Sequence, residues 1–303
     1  MKLKLLLCSV LMTQLTLAND STGYVNAGGV QYIQNNDIAM EKEDLFISQE
    51  QVVVNYQFRN LTNRDITENI VFPMPKVTHE LDWDFADTEG LLNSFQVKVN
   101  GKTIIPKRHI RAYFDLGNGR YKEATTILQS CGLTEQDLLN PWLRDSDRGE
   151  RIDEKIENCQ SPELKNIQGK KWASEVIYSW QQTFKANAVT EVYHRYIPLI
   201  GSAIGLTLQE DRKDFCMDQS FLNALQKARG EYTAHSKLGY VLTTGAKWAK
   251  PIQDFKLTIE RAPNERISLC WDGEIKKVSP TQFVIEEQNF IPKQDLNILF
   301  IRP

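Results

Sequence analysis

The sequence predicts a mainly β protein, with sandwich-like antiparallel sheets and a disulfide-stapled α-helical insertion. Three observations predict it. Apolar and polar residues alternate at period two in runs on both sides of the chain's middle, as half-buried strands require. The strand–helix rhythm of a parallel α/β sheet is missing. Between the two β-rich stretches lies a charge-dense one that carries its own cysteine pair, Cys131 and Cys159. Of the 303 residues 41% are hydrophobic and 25% charged, enough apolar content to fill a core rather than stay disordered.

Residues 1–18 read as a leader. Lys2 and Lys4 form a basic start, residues 5–15 a short apolar run, and Thr16-Leu17-Ala18 a small-residue end, the pattern of a secretory signal peptide cut after Ala18. Gln14 interrupts the run, and a membrane span needs about 20 apolar residues. No later stretch is long enough, so the mature chain is expected to have no transmembrane span. Loss of Lys2 and Lys4 takes the net charge from -3 to -5, and loss of Cys8 leaves Cys131, Cys159, Cys216 and Cys270. An even set in an oxidising compartment points to two disulfides. Three pairings are open; sequence locality favours Cys131–Cys159 and Cys216–Cys270, each stabilising by roughly 3–4 kcal/mol in the loop-closure model.

Residues 19–105 form the N-terminal β region. Gly29 to Ile33 and Ile38 to Ile47 read as strands of one sheet. Val52, Val54, Tyr56 and Phe58 alternate with Val53, Asn55, Gln57 and Arg59; residues 60–65 turn the chain, and residues 66–72 follow as a strand that Pro73 and Pro75 stop. In residues 97–104 Asn100-Gly101 sits between alternating runs, the signature of a two-residue type I′ hairpin. Residues 106–170 form the helical insertion. Pro106-Lys107-Arg108 breaks the β pattern, and residues 121–128 and 134–139 read as short helices. Thr134 is the N-cap, and Asp137 stands three residues on, in the capping-box position. Residues 145–157 read as a charged, solvated face. In the C-terminal β region, 171–303, Val176, Tyr178, Trp180, Gln182 and Phe184 share one strand face. Val192, His194 and Tyr196 share another. Residues 213–229 read as one helix with Asp218 as N-cap, and four further strands close the chain. One sandwich built from both halves and two β-domains flanking the helices both fit this order.

The charge balance, 36 Lys+Arg against 39 Asp+Glu, excludes a strongly basic nucleic-acid binder. Phosphate-cradling glycine loops, a nucleophile elbow and His-Glu-x-x-His are missing. His79, His109, His194 and His235 are far apart in the chain, so no zinc site is expected. No catalytic residue, cofactor or metal is assigned. The ligand candidates are the acidic run with Asp82, Asp84 and Asp87, whose carboxylates suit calcium without the EF-hand spacing. His194 is read as a partly buried histidine bonded to a neighbour, the one side-chain type that titrates near neutrality. Trp142 and Trp248 are the tryptophans expected at the surface, able to stack on a ligand. Asn60-Leu61-Thr62 matches the glycosylation sequon.

Several phrases taken together carry a resemblance. They are Asn19-Asp20-Ser21-Thr22 after the leader with Gly28-Gly29 before Ile38-Ala39-Met40; Val54 to Asn60 with Phe72-Pro73-Met74-Pro75; and Tyr178 to Phe184 followed by Val192 to Pro198. The chain resembles the bacterial secreted domain-of-unknown-function family 4424 over essentially its whole mature length. The resemblance implies a periplasmic or secreted protein of Gram-negative type and supplies no activity, catalytic residue or ligand. The second phrase is also similar to the strand pattern of von-Willebrand-associated β-sandwich modules, a fold-level likeness. The resulting expectation is an exported periplasmic protein, a non-enzymatic binding or envelope-associated module with a periplasmic or cell-envelope protein as partner. The alternative is a secreted hydrolase acting on a polysaccharide or peptide polymer, with Asp82, Asp84 and Asp87 as its acids.

Overall fold

A computed structural model describes residues 21–26, 29–77, 88–116, 120–139, 147–162, 164, 172–204, 212–228 and 234–302. In chain order the strands are β1 (Ser21–Asn26), β2 (Gly29–Ile33), β3 (Ile38–Ile47), β4 (Val52–Asn60), β5 (Ile66–Pro73), β6 (Gln96–Val99) and β7 (Lys102–Ile104). Then come β8 (Lys107–Asp115), β9 (Tyr121–Glu123), β10 (Trp172–Phe184), β11 (Val189–Tyr196), β12 (Gly201–Ile204) and β13 (Ala234–Tyr240). The last are β14 (Ile252–Glu260), β15 (Arg266–Leu269), β16 (Lys276–Lys277), β17 (Gln282–Phe290) and β18 (Leu296–Arg302). The helices are α1 (Thr88–Ser94), α2 (Thr125–Ser130), α3 (Glu135–Leu139), α4 (Asp147–Glu157) and α5 (Gln219–Ala228).

Three sheets result: a six-stranded one in the order β2-β1-β5-β10-β8-β9, an eight-stranded one in the order β16-β17-β14-β3-β4-β11-β6-β7, and a four-stranded one in the order β12-β13-β18-β15. Among the described strands every pairing is antiparallel except β3 with β14. The protein is therefore mainly β with a helical insertion, and both larger sheets mix strands from before and after that insertion. The predicted hairpin is present: Asn100 and Gly101 have φ of 47° and 75° between β6 and β7.

The two larger sheets share two corners. β4 pairs with β11 in one sheet, β5 with β10 in the other, and the chain crosses between sheets at residues 60–65 and again at 184–188. Asn60, fully buried, holds both corners. Its Nδ2 donates to the carbonyls of Arg64 (2.8 Å) and Phe184 (3.0 Å), and its Oδ1 accepts from the Thr62 N–H (2.9 Å) and hydroxyl (2.8 Å). A glycan needs an exposed amide, so the sequon at Asn60 is a structural turn and not an acceptor site. The inner faces then meet through aromatic rings. Phe58 of β4 contacts Phe184 of β10 (centroids 6.0 Å), and Trp180 of β10 contacts His194 of β11 (5.5 Å).

Several sequence expectations are corrected. β2 and β3 belong to different sheets, because the chain turns at buried Asn35, whose Oδ1 accepts from the N–H groups of Asp37 and Ile38. Lys107–Asp115 is a strand. Pro106 lies before its first residue, where a missing N–H costs no ladder bond, and Ile110, Ala112 and Phe114 face the core. Residues 121–123 pair with β8, so helix α2 begins only at Thr125. Residues 213–229 do not form one helix, since Cys216 (φ 50°) separates a short turn at 212–214 from α5.

Within the insertion the expected cap and disulfide are present, whereas helix α4, read as a solvated face, buries Ile152 and Ile156. Thr134 Oγ1 accepts from the Asp137 N–H (3.2 Å), and Asp137 Oδ2 accepts from the Thr134 N–H (2.9 Å), a reciprocal cap on α3. Leu128, Leu138, Leu139, Ile152 and Ile156 join the main core beside Trp172 and Phe114, so the charged helix α4 still buries an apolar edge. The Trp172 indole N–H donates to the Leu138 carbonyl at 3.1 Å. Disulfides link Cys131 to Cys159 and Cys216 to Cys270.

Candidate functional site

The outer face of the eight-stranded sheet is built by register. β4 buries Val54, Tyr56 and Phe58, so Asn55 and Gln57 point outward; β11 buries Val192 and His194, so Glu191 and Tyr193 do. On β3 the phase would be wrong without a bulge. Ile38 and Met40 face inward, the register slips between Met40 and Lys42, and Glu43, Leu45 and Ile47 then face inward. One extra residue thus turns Lys42 and Asp44 outward. Two rows of side chains cross the sheet as a consequence. One runs Gln288, Asp254, Lys42, Gln57, Glu191; the other runs Glu286, Lys256, Asp44, Asn55, Tyr193, Lys98.

At the β4-β11-β6 end of these rows is an open groove of ≈ 320 Å³, lined by Lys42, Asn55, Gln57, Lys98, Glu191 and Tyr193 with Gly101 of the hairpin at its rim. The Lys98 ammonium lies 5.5 Å from the Tyr193 ring centroid, and Lys42 is 3.9 Å from Asp44. The groove therefore offers two amides that donate and accept, two ammonium groups, one carboxylate and one phenol on a rigid sheet. Such a set suits a polar ligand held by many hydrogen bonds. Alternation in the sequence marked Asn55, Gln57, Lys98, Glu191 and Tyr193 as outward; the bulge adds Lys42, and strand order brings them together.

Beneath the groove, Glu43 is fully buried opposite Tyr56. The Tyr56 and Tyr240 hydroxyls are 3.1 Å apart, and Tyr240 Oη lies 3.5 Å from Glu43 Oε1, tying the eight-stranded sheet to the four-stranded one. His194 is fully rather than partly buried. Tyr56, Phe72, Phe95 and Trp180 surround its ring with centroids 4.9–5.6 Å away. Burial pushes its pKa down to about 3, so the ring is neutral at physiological pH and serves as packing. Trp248 was expected at the surface and is 2% exposed, packed on Phe58 (4.6 Å) and Phe184 (6.4 Å). The polar turn around it misled the reading, because such a turn can still fold its one large ring into the core. Asp82, Asp84, Asp87 and Trp142 lie outside the described residues. Among the described residues no group of three or more His, Cys, Asp or Glu side chains is placed to hold a metal ion.

One pair escaped the sequence altogether. His109 Nε2 and Ser179 Oγ are 2.8 Å apart on neighbouring strands β8 and β10. Burial first, then the positive charges of Lys107 and Arg111, lowers the His109 pKa, while Glu135 opposes the shift. A nucleophile and base would look similar, but Ser179 is 7% exposed in the middle of a central strand, where no substrate carbonyl reaches its oxygen. Nearby, Lys76 forms a largely buried ion pair with Glu175 at 3.2 Å and lies 4.9 Å from the Tyr113 ring. Burial, and then the Glu175 carboxylate, raise the Tyr113 pKa, so the phenol stays protonated.

Compared with known families, residues 18–299 match the one described as a domain of unknown function, DUF4424. The chain belongs to the DUF4424 family. No curated protein matches this DUF4424 chain. Among solved structures it is similar to a crystal structure from Legionella pneumophila described as a putative nutrient binding protein. The two share 15% identity over 95% of the DUF4424 chain and 73% of the other, with a TM-score of 0.43. At that level neither fold nor ligand passes from the Legionella protein to this one. Among the described residues of the DUF4424 chain no helix is long and apolar enough to cross a membrane.

Proposed function

We propose that this DUF4424 protein is an exported, non-enzymatic binding module that holds a hydroxyl-rich saccharide unit of the cell envelope on the outer face of its eight-stranded sheet. The observation that carries the reading is the groove of ≈ 320 Å³ with Asn55, Gln57, Glu191, Tyr193, Lys42 and Lys98 around it. Its volume lies near the small end of ligand sites, roughly 300–1,000 Å³. Amides and a carboxylate read hydroxyls as both donors and acceptors, and the tyrosine supplies the one ring face. Mixed charge disfavours a polyanion. The export half of the reading rests on residues 1–18 and on the two disulfides, which persist in oxidising compartments.

The ligand half is tested by saturation-transfer NMR of the mature protein against envelope-derived oligosaccharides, repeated with Gln57→Ala/Tyr193→Ala. Transfer to sugar protons in the parent, lost in the variant, is expected. Transfer unchanged in the variant refutes the groove, and none in the parent refutes the ligand class. The export half is tested by intact-mass analysis of periplasmic fractions: the expected species begins at Asn19, and a chain retaining residues 1–18 overturns it.

A further inference from the structure

β18 divides its side chains between two cores. Leu296, Ile298 and Phe300 face the main core, whereas Leu299 and Ile301 face a separate cluster completed by Phe215, Met217 and Leu225, with Phe221 and Leu222 packed at its edge. The segment 212–228, which includes α5, therefore lies across the outer face of the four-stranded sheet. Its apolar anchors Phe215, Met217 and Leu225 form a small cluster of their own, separate from the main core. Ties among the described residues include the Ser268 hydroxyl donating to the Phe215 carbonyl at 2.9 Å, the Lys237 ammonium 5.5 Å from the Phe215 ring, and the Cys216–Cys270 bond. Cys216 is exposed and sits at φ 50°, a left-handed conformation that costs a side-chain-bearing residue free energy unless something holds it. The Met217 N–H donating to the Arg212 carbonyl (3.0 Å) holds it, together with the disulfide to the residue after β15, at a Cα–Cα distance of 4.9 Å.

We infer that the segment 212–228 is a redox-releasable strap: opening of Cys216–Cys270 by a dithiol lets it leave the four-stranded sheet while the two larger sheets stay folded. A thiolate of the dithiol attacks the exposed Cys216 Sγ, forming a mixed disulfide and releasing the Cys270 thiolate, which takes up a proton. The second thiolate of the dithiol then displaces Cys216 as a thiolate that is protonated in turn. Two electrons and two protons pass from the dithiol to the cysteine pair, and the dithiol becomes a disulfide. Cys216 can then relax to a right-handed or extended conformation, which favours release. The Cys131–Cys159 bond differs: both its cysteines are partly buried against the main core, so its opening is resisted by a larger body.

The experiment treats the mature protein with graded dithiothreitol, alkylates the freed thiols, maps them by mass spectrometry and follows amide hydrogen exchange in parallel. Cys216 and Cys270 are expected to be alkylated before Cys131 and Cys159. Amides of residues 219–228 should then exchange at least about tenfold faster, while those of β4, β10 and β11 keep their protection. Cys216→Ala/Cys270→Ala without reductant should give the same exchange pattern. Unchanged protection of 219–228 after selective reduction overturns the inference, and so does simultaneous loss of protection throughout the molecule. If the double variant does not fold, the reduced parent protein alone decides between these outcomes.

Discussion

Asn60 is the side chain on which the sandwich geometry most depends, and replacing it has a calculable cost. The amide is fully buried and makes four hydrogen bonds, two donated to carbonyls of different corners and two accepted from Thr62. In Asn60→Ala the Phe184 carbonyl loses its donor inside the protein, whereas the Arg64 carbonyl and Thr62 groups lie close enough to solvent to be rehydrated in part. At about 1 kcal/mol for each ordinary bond and about 1–3 kcal/mol for a stranded buried group, the loss is about 2–4 kcal/mol. Asn60→Asp keeps the shape but turns a donor into an oxygen facing two carbonyls, at a cost of roughly 3–5 kcal/mol at neutral pH. That carboxyl is expected to have a folded-state pKa above its unfolded value, so the protonated acid, which can donate once, is the form that fits. The Asp variant should therefore recover stability relative to the parent as pH falls from 7 towards about 4. Urea denaturation followed by tryptophan fluorescence measures both variants over that range. Values within about 0.5 kcal/mol of the parent, or an Asp variant that loses ground as pH falls, would refute the argument.

Two further predictions concern protons. His194 is held neutral with a folded pKa of about 3 against 6.5, so the unfolded chain binds the extra proton. Stability should fall by about 1.4 kcal/mol per pH unit on acidification below about 6.5. His194→Leu should flatten that slope in denaturation curves between pH 6 and 4.5; an unchanged slope would place the acid sensitivity elsewhere. At Asp137, burial alone would raise the pKa, but hydrogen bonds from the Thr134 N–H and hydroxyl, together with Lys155 at 3.3 Å, win and hold it at about 2. A depressed pKa contributes stability that is present above about 4 and lost as pH falls towards 2. Asp137→Asn should therefore lower stability by about 1–2 kcal/mol at pH 7 and by little at pH 2, as measured by thermal melts at both values.

Much of the fold was legible because strand alternation is local. Val52 to Phe58 and Val192 to Tyr196 declared their buried and outward faces without any partner, and Asn100-Gly101 declared its turn, since only a few residues accept two successive positive φ angles. The groove was half legible in the same way. What failed were inferences from local polarity to exposure. Trp248 sits in a polar turn yet fills the core between Phe58 and Phe184. Lys107–Asp115 begins with three charged or polar residues yet forms a strand, because its later residues reach the core.

By itself the sequence determined the mainly β class, the caps at Thr134 and Asp218, and which side of β4 and β11 is polar, and it narrowed the cysteine pairing to a favoured one of three. Those follow from neighbouring residues and backbone periodicity. Only the tertiary structure decided that the halves interleave, with β3 lying beside β14 and β4 beside β11. It also decided that Glu41 bulges so that Lys42 joins the outer row, and that His109 meets Ser179. Strand order and register depend on how distant segments bury their apolar faces together. That choice is made by the whole core at once, and no local stretch of residues encodes it.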